Sequence, residues 1–237
     1  MVNAADRQNC RIILRKTSLI DYPGLVSAVF FFPGCNLRCP WCHNRELVLG
    51  NDTNADYISL EEALAHIKKR RNVLGGVVLS GGEPTLYNSL GSLISQIKSL
   101  GLKVKLDTNG LLPDALKLLL AKEDSKPDYI AMDLKTSPER YSELLPDIKT
   151  VKGQGVDNPG EAIKKSIVLI RDSLIPHEFR SLDLPLPPDN GQGKNPSPAP
   201  YFGDQEKAII AALVGDSPWN IRPFVPGNCI DPTWNAL

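Results

Sequence analysis

The sequence predicts an α/β fold, a partial (β/α)6 barrel of parallel strands with its site at the C-terminal rim. Three observations carry this. Six short β-rich runs alternate with helical or polar stretches, a pattern that implies a parallel sheet with right-handed crossovers. Six units are too few for a complete eight-fold barrel, while 237 residues suit one α/β domain. The unusual residues fall where the β-runs end, and parallel α/β folds gather their sites at those ends.

The first run is Val26–Phe32 ("VSAVFFF"), which leads directly into a cysteine loop. "YISLEEALAHIKKRR" follows, with Ser59 and Glu62 spaced as a capping box ahead of a helical pattern. "GVVLS" (Gly76–Ser80) reads as a buried strand ended by "GGEPT". Leu90–Leu100 is helical, and Gly101 sits where a helix is left through a positive φ. "KVKLD" (Lys103–Asp107) is a strand ended by "TNG", and "LLPDALKLLLAK" is a helix with Pro113 in its first turn. "YIAMDL" (Tyr129–Leu134) is the next strand, and Gly160–Arg171 the next helix. "HEFRSLDL" and "WNIRPF" are strands around the helix "DQEKAIIAALV". Pro185–Pro200, rich in Pro and Gly, continues neither strand nor helix and reads as a loop insert within a single domain spanning residues 1–237.

Composition narrows the function classes. Hydrophobic content of 42% supports a real core, and Lys+Arg and Asp+Glu number 27 each. No global field therefore favours nucleic acid or an anionic membrane. "MVNAADRQNC" lacks the apolar stretch of a secretory signal, and "GLVSAVFFFPGC" is too short to span a bilayer. Five cysteines, three of them clustered, argue against a secreted disulfide framework. A soluble protein of the reducing cytoplasm is expected, with neither nucleic acid nor membrane as a partner.

"GCNLRCPWCHN" places Cys35, Cys39 and Cys42 in one loop. A structural zinc needs four ligands, and His43, adjacent to Cys42, shares a tetrahedron with it awkwardly. Cys10 and Cys229 are isolated. Buried inert cysteines fit poorly in a Gly/Pro/Asn loop. The alternative is a [4Fe–4S] cluster on three thiolates with one iron left open to a chelating amine and carboxylate. Gly81 and Gly82 let main chain approach closely there, and Glu83 offers a carboxylate to an ammonium, although a double glycine after a strand is also an ordinary turn. Asp107 and Thr108 open "DTNG", whose plain reading is a capped turn.

A Cx3CxΦC loop with Trp41 before its last cysteine, followed by a strand-ending "GGEP", resembles the radical S-adenosylmethionine (radical SAM) superfamily. "CNLRCPWCHN" and its lead-in Thr17–Gly34 resemble the activating enzymes of glycyl radical enzymes, in particular those serving anaerobic ribonucleoside-triphosphate reductase. "LDTNG", "MDLK" and "EFRS" fit the same group, and the likeness runs from about Leu14 to Arg180, returning at "IRPFVPGNCID". The resemblance implies that Cys35, Cys39 and Cys42 hold the cluster and that SAM completes the fourth iron. It implies reductive cleavage to methionine and a 5′-deoxyadenosyl radical, which takes hydrogen from a glycine of a partner glycyl radical enzyme. A low-potential donor such as flavodoxin or ferredoxin would feed the cluster. Trp41 and the His43 backbone would lie at the adenine, or Trp41 would simply plug the cluster. Gly81, Gly82 and Glu83 would hold the methionyl ammonium, Asp133 and Lys135 the ribose or carboxylate, and Arg180 the carboxylate. A monovalent cation would sit beside SAM at Asp107, Thr108 and Asp133. The adenine-contacting histidine of the family near the last strand has no counterpart in "RPFVPGNC". The runner-up is a radical SAM enzyme acting on a small molecule, such as a 7-carboxy-7-deazaguanine synthase. A scaffold protein with structural zinc is the reading from outside that class.

Overall fold

The computed structural model describes residues 11–50, 56–146, 156–185 and 201–236. Its frame is one eight-stranded sheet. The strands are β1 (Arg11–Ser18), β2 (Ser27–Phe32), β3 (Tyr57–Ser59), β4 (Gly76–Gly81), β5 (Lys103–Thr108), β6 (Tyr129–Asp133), β7 (His177–Asp183) and β8 (Trp219–Pro223). Their order across the sheet is β3-β1-β2-β4-β5-β6-β7-β8. From β2 to β8 every neighbour is parallel, so the six strands expected from the sequence form the parallel part. The structure adds β1 and β3, antiparallel on the β2 side. In β1 ("RIILRKTS") Ile12 and Ser18 are buried and the basic residues exposed. Charged residues on its open face keep this strand from reading as an apolar run.

The helices are α1 (Arg45–Leu49), α2 (Leu60–Arg70), α3 (Leu90–Ser99), α4 (Pro113–Leu120), α5 (Pro159–Asp172) and α6 (Asp204–Val214). The Ser59–Glu62 capping box forms at the start of α2, with Ser59 N donating to Glu62 Oε2 at 2.8 Å and Glu62 N to Ser59 Oγ at 3.2 Å. Asn158 accepts from Glu161 N at 3.1 Å at the head of α5, where Pro159 needs no partner for a missing N–H. Gly101 follows α3 with φ +78°.

The two faces of the parallel sheet differ in chemistry. On the helix side, Phe30, Leu79, Leu106, Met132 and Phe179 pack with Ile67, Ile94, Leu116 and Ile167 into the main core. On the concave side a small cluster of Tyr22, Val29 and Val78 gives way to charge. Side chains alternate along a strand, so Lys105 and Asp107, then Asp133, then Arg180 share this inner face through the β5–β6–β7 register. Most of the Pro-rich insert (186–200) and Cys10 lie outside the described residues. Among the described residues no helix is long and apolar enough to cross a membrane.

Candidate active site at the C-terminal rim

The cysteine loop is tied to the sheet by main chain. Gly82 N donates to Phe32 O and Glu83 N to Gly34 O, both at 2.8 Å. A Cβ on Gly82 would overlap the Gly34 carbonyl, and one on Gly81, at φ +115°, would overlap the Phe32 backbone. Only glycine lets these segments touch. The close approach that the double glycine permits is therefore, first, to the cysteine loop itself. Asn44 adds a side-chain bond to Gly81 O at 2.9 Å. Arg38 N reaches Leu144 O at 2.7 Å, while its guanidinium donates to Cys35 O at 2.7 Å and Leu37 O at 2.9 Å. On the other flank the C-terminal segment closes in, with Ile230 N on Cys42 O and Asp231 N on Pro40 O.

These contacts bring most of the expected residues into one pocket. Cys35, Cys39, Cys42, Trp41 and His43 face Gly81 and Gly82, and Asp107, Thr108, Asp133 and Lys135 complete the wall. Arg180 lies in an adjoining cleft that shares Trp41, His43, Asp133 and Lys135 and extends to Asp21 and Arg222.

Glu83 does not line the pocket. Its carboxylate is 1% exposed. Oε1 accepts from Thr85 N (3.1 Å), Thr85 Oγ1 (2.5 Å) and Thr108 Oγ1 (2.8 Å), and Oε2 from Asn109 N (2.7 Å). Burial pushes its pKa up, while these donors pull the other way. In this arrangement Glu83 fixes the loop after β5. Asn109, which the sequence offered only as part of a turn, is held by that carboxylate and donates to Asn36 Oδ1 at 2.8 Å and Cys35 Sγ at 3.7 Å.

The oxygens expected to hold a monovalent cation are also engaged. Asp107 takes Lys105 Nζ at 2.5 Å, Ser80 Oγ at 2.9 Å and Arg180 Nη1 at 3.5 Å. Asp133 takes Arg180 Nε at 2.8 Å and Lys135 Nζ at 3.0 Å. Burial would raise the Asp133 carboxyl, but Arg180 and Lys135 outweigh it and hold it well below the usual carboxylate range. Thr108 Oγ1 donates to Glu83 and accepts from Gly110 N at 3.1 Å.

The three thiols share a buried setting. Burial, with Glu83 adding, pushes Cys35 up to about 11, and burial likewise raises Cys39 and Cys42. A bound iron must displace these protons, as metals do with coordinating thiols. Leu37 N at 3.4 Å and the Asn109 amide already point at Cys35 Sγ, as donors to a ligating sulfur do. Among the described residues no three His, Cys, Asp or Glu side chains converge on a single-ion site.

Trp41 serves two surfaces. It lines the pocket and is 2% exposed, packed in tilted ring contacts against Tyr201, with centroids 4.7 Å apart, and Trp234 at 5.4 Å. His43 lies 5.8 Å from the Phe224 ring. Tyr201, Phe224 and Trp234 come from beyond the Pro-rich insert, and no local spacing announces them. Cys229 is fully buried and donates to Gly227 O at 3.8 Å.

Residues 29–175 match the family model described as the radical SAM superfamily. A protein of Methanocaldococcus jannaschii named as a glycyl-radical enzyme activating enzyme is 34% identical over 156 residues, covering 65% of this chain and 58% of its own. The 7-carboxy-7-deazaguanine synthase of Hyperthermus butylicus is 40% identical over 96 residues, covering 39% of this chain and 38% of its own. The chain thus spans 58% and 38% of the lengths of these two relatives, less than two thirds in each case. Among solved structures, Streptococcus suis SuiB bound to S-adenosylmethionine superposes with a TM-score of 0.53 at 14% identity, over 84% of this chain and 42% of that one. That likeness is one of fold.

Proposed function

Because the chain belongs to the radical SAM superfamily, whose cofactors are a [4Fe–4S] cluster and SAM, we propose that it is a glycyl-radical-enzyme activating enzyme. It abstracts hydrogen from a backbone glycine of a partner protein. The observation that carries the chemistry is the joining of three thiols, the Gly81–Gly82 backbone and the Asp133–Lys135 pair in one rim pocket. The choice of a protein substrate is supported by the activating-enzyme relative, which matches over the longer stretch. When bound, the cluster and SAM together supply one-electron cleavage of the sulfonium and the hydrogen abstraction that follows.

The residues of the chain bind and position. Cys35, Cys39 and Cys42 hold the cluster. Gly81 and Gly82 leave room for the methionyl end, and Glu83 keeps the loop after β5 in place. Lys135 and Asp133 meet the carboxylate and ribose, with Arg180 bracing Asp133. Trp41 and the His43 backbone flank the adenine. Hydrogen-atom abstraction needs no general acid or base, and no such pair is required here. The partner proposed is anaerobic ribonucleoside-triphosphate reductase, with flavodoxin or ferredoxin as electron donor.

A second reading, a radical SAM enzyme acting on a small molecule, is favoured by the 7-carboxy-7-deazaguanine synthase relative and by the cleft at Arg180 and Arg222 beside the pocket. The test is SAM cleavage by anaerobically reconstituted, reduced protein, following 5′-deoxyadenosine and comparing Cys39→Ala. Product that depends on Cys39 supports the radical reading, and a glycyl-radical EPR signal on the reductase then selects the activase. No product from protein holding an intact, reducible cluster overturns both readings.

A further inference from the structure

Lys105 sits on β5 two residues before Asp107, with its side chain 3% exposed and its ammonium 2.5 Å from Asp107 Oδ1. A lysine so deeply buried is uncommon unless paired, and its charge is held where an oxygen-liganded cation was expected. Every candidate oxygen there is already spoken for. Asp107 Oδ2 accepts from Ser80, and Arg180 bridges Asp107 and Asp133. Lys135 takes the other Asp133 oxygen, and Thr108 Oγ1 is turned toward Glu83. Lys105, Lys135 and Arg180 thus meet Asp107 and Asp133, and Glu178 adds a third carboxylate that acts on Arg180. A further K+ or Na+ would meet repulsion from three neighbours and would have to strip hydrogen bonds from its own ligands.

We propose that Lys105 is a tethered cation: its ammonium occupies the role of a monovalent metal at Asp107, so that this protein binds SAM without added K+ or Na+. This rests on the assignment of the pocket to SAM. Lys105 acts through Asp107 and so is a positioning residue.

The test is SAM binding by anaerobically reconstituted holoprotein, measured calorimetrically at constant ionic strength in KCl, NaCl and choline chloride. Wild type is expected to keep the same Kd within about twofold in all three. Lys105→Met leaves Asp107 short of a cation, and its binding in choline is expected to weaken by about tenfold or more and to recover in K+ or ammonium. A lysine that merely braces the fold would give a variant whose loss no cation restores, which overturns the proposal. A wild-type Kd that tightens about tenfold from choline to K+ overturns it as well, and that arm needs no variant to fold. SAM binding absent in every buffer takes down the pocket assignment and this inference with it, whereas binding that needs K+ removes this inference alone.

Discussion

The side-chain amide of Asn109 lies 3.7 Å from the Sγ of Cys35, a residue 74 positions away. The contact depends on a relay: Glu83, buried behind the pocket, holds Asn109 N at 2.7 Å, and Asn36 takes the same amide at 2.8 Å. Hydrogen bonds to ligating sulfur stabilise the more negative, reduced state of an iron–sulfur cluster. Asn109→Ala is therefore expected to keep its iron but shift the cluster midpoint to more negative potential, on the order of 50 mV, equivalent to about 1 kcal/mol for one electron. A redox titration followed by EPR reads this directly, and an unchanged midpoint would remove Asn109 from the tuning of the cluster.

Gly82→Ala tests whether the glycine pair clamps the cysteine loop. The added methyl would overlap the Gly34 carbonyl, a backbone atom that cannot step aside alone. The apoprotein is expected to lose about 3 kcal/mol in chemical denaturation, and the reconstituted protein to hold less iron. Gly24→Ala is the contrast: its Cβ meets nothing within 4 Å, so only the strain at φ +74° is added. Equal losses at both positions would mean that the overlap is relieved and the clamp is unimportant.

Much of this site was legible from local pattern. The strands of the parallel sheet announce themselves because β2 and β4 are apolar on both faces, and the cysteine spacing and "GGEP" mark the ends of those strands. What was hidden depends on pairing across the sheet. Lys103 and Lys105 look alike in "KVKLD", yet the first is exposed and the second buried against Asp107. The surroundings of Glu83 were hidden because two of its four donors, Thr108 Oγ1 and Asn109 N, come from the next strand's end, while Thr85 supplies the other two locally. Tyr201 and Trp234 reach Trp41 from beyond the Pro-rich insert, where spacing says nothing about distance.

Asp133 gives a pH dependence with a definite sign. Arg180 and Lys135 depress its pKa in the folded protein, so its contribution to stability is complete above the unfolded value near 3.9 and is lost as pH falls below it. Arg180→Gln removes one of the two cations, so the variant is expected to start less stable at pH 6 and to lose less on acidification from pH 4 to pH 2. Urea midpoints across that range provide the check, and parallel curves for the two proteins would mean that the Asp133–Arg180 pair does not govern acid stability. The side chain of Asp133 is 31% exposed, so the difference should shrink in high salt.

Trp234 links the far end of the described chain to the cysteine loop. It is 2% exposed, meets Trp41 in a tilted contact at 5.4 Å and Phe224 edge-to-face at 5.7 Å, and follows the segment in which Ile230 N and Asp231 N bond to Cys42 O and Pro40 O. Trp234→Ala empties a large buried volume at a cost of about 3–5 kcal/mol, and the neighbouring segment it loosens holds the backbone of Cys42 and Pro40 in the cysteine loop. Two effects should separate. Apoprotein stability falls by that amount, and Trp234→Phe, which preserves a ring against Trp41, restores most of it. If the aromatic packing also shapes the pocket wall, Trp234→Ala that still binds its cluster will bind SAM more weakly, with Trp234→Phe intermediate. Loss of stability with SAM affinity unchanged would confine Trp234 to the fold and leave the pocket face of Trp41 independent of what packs behind it.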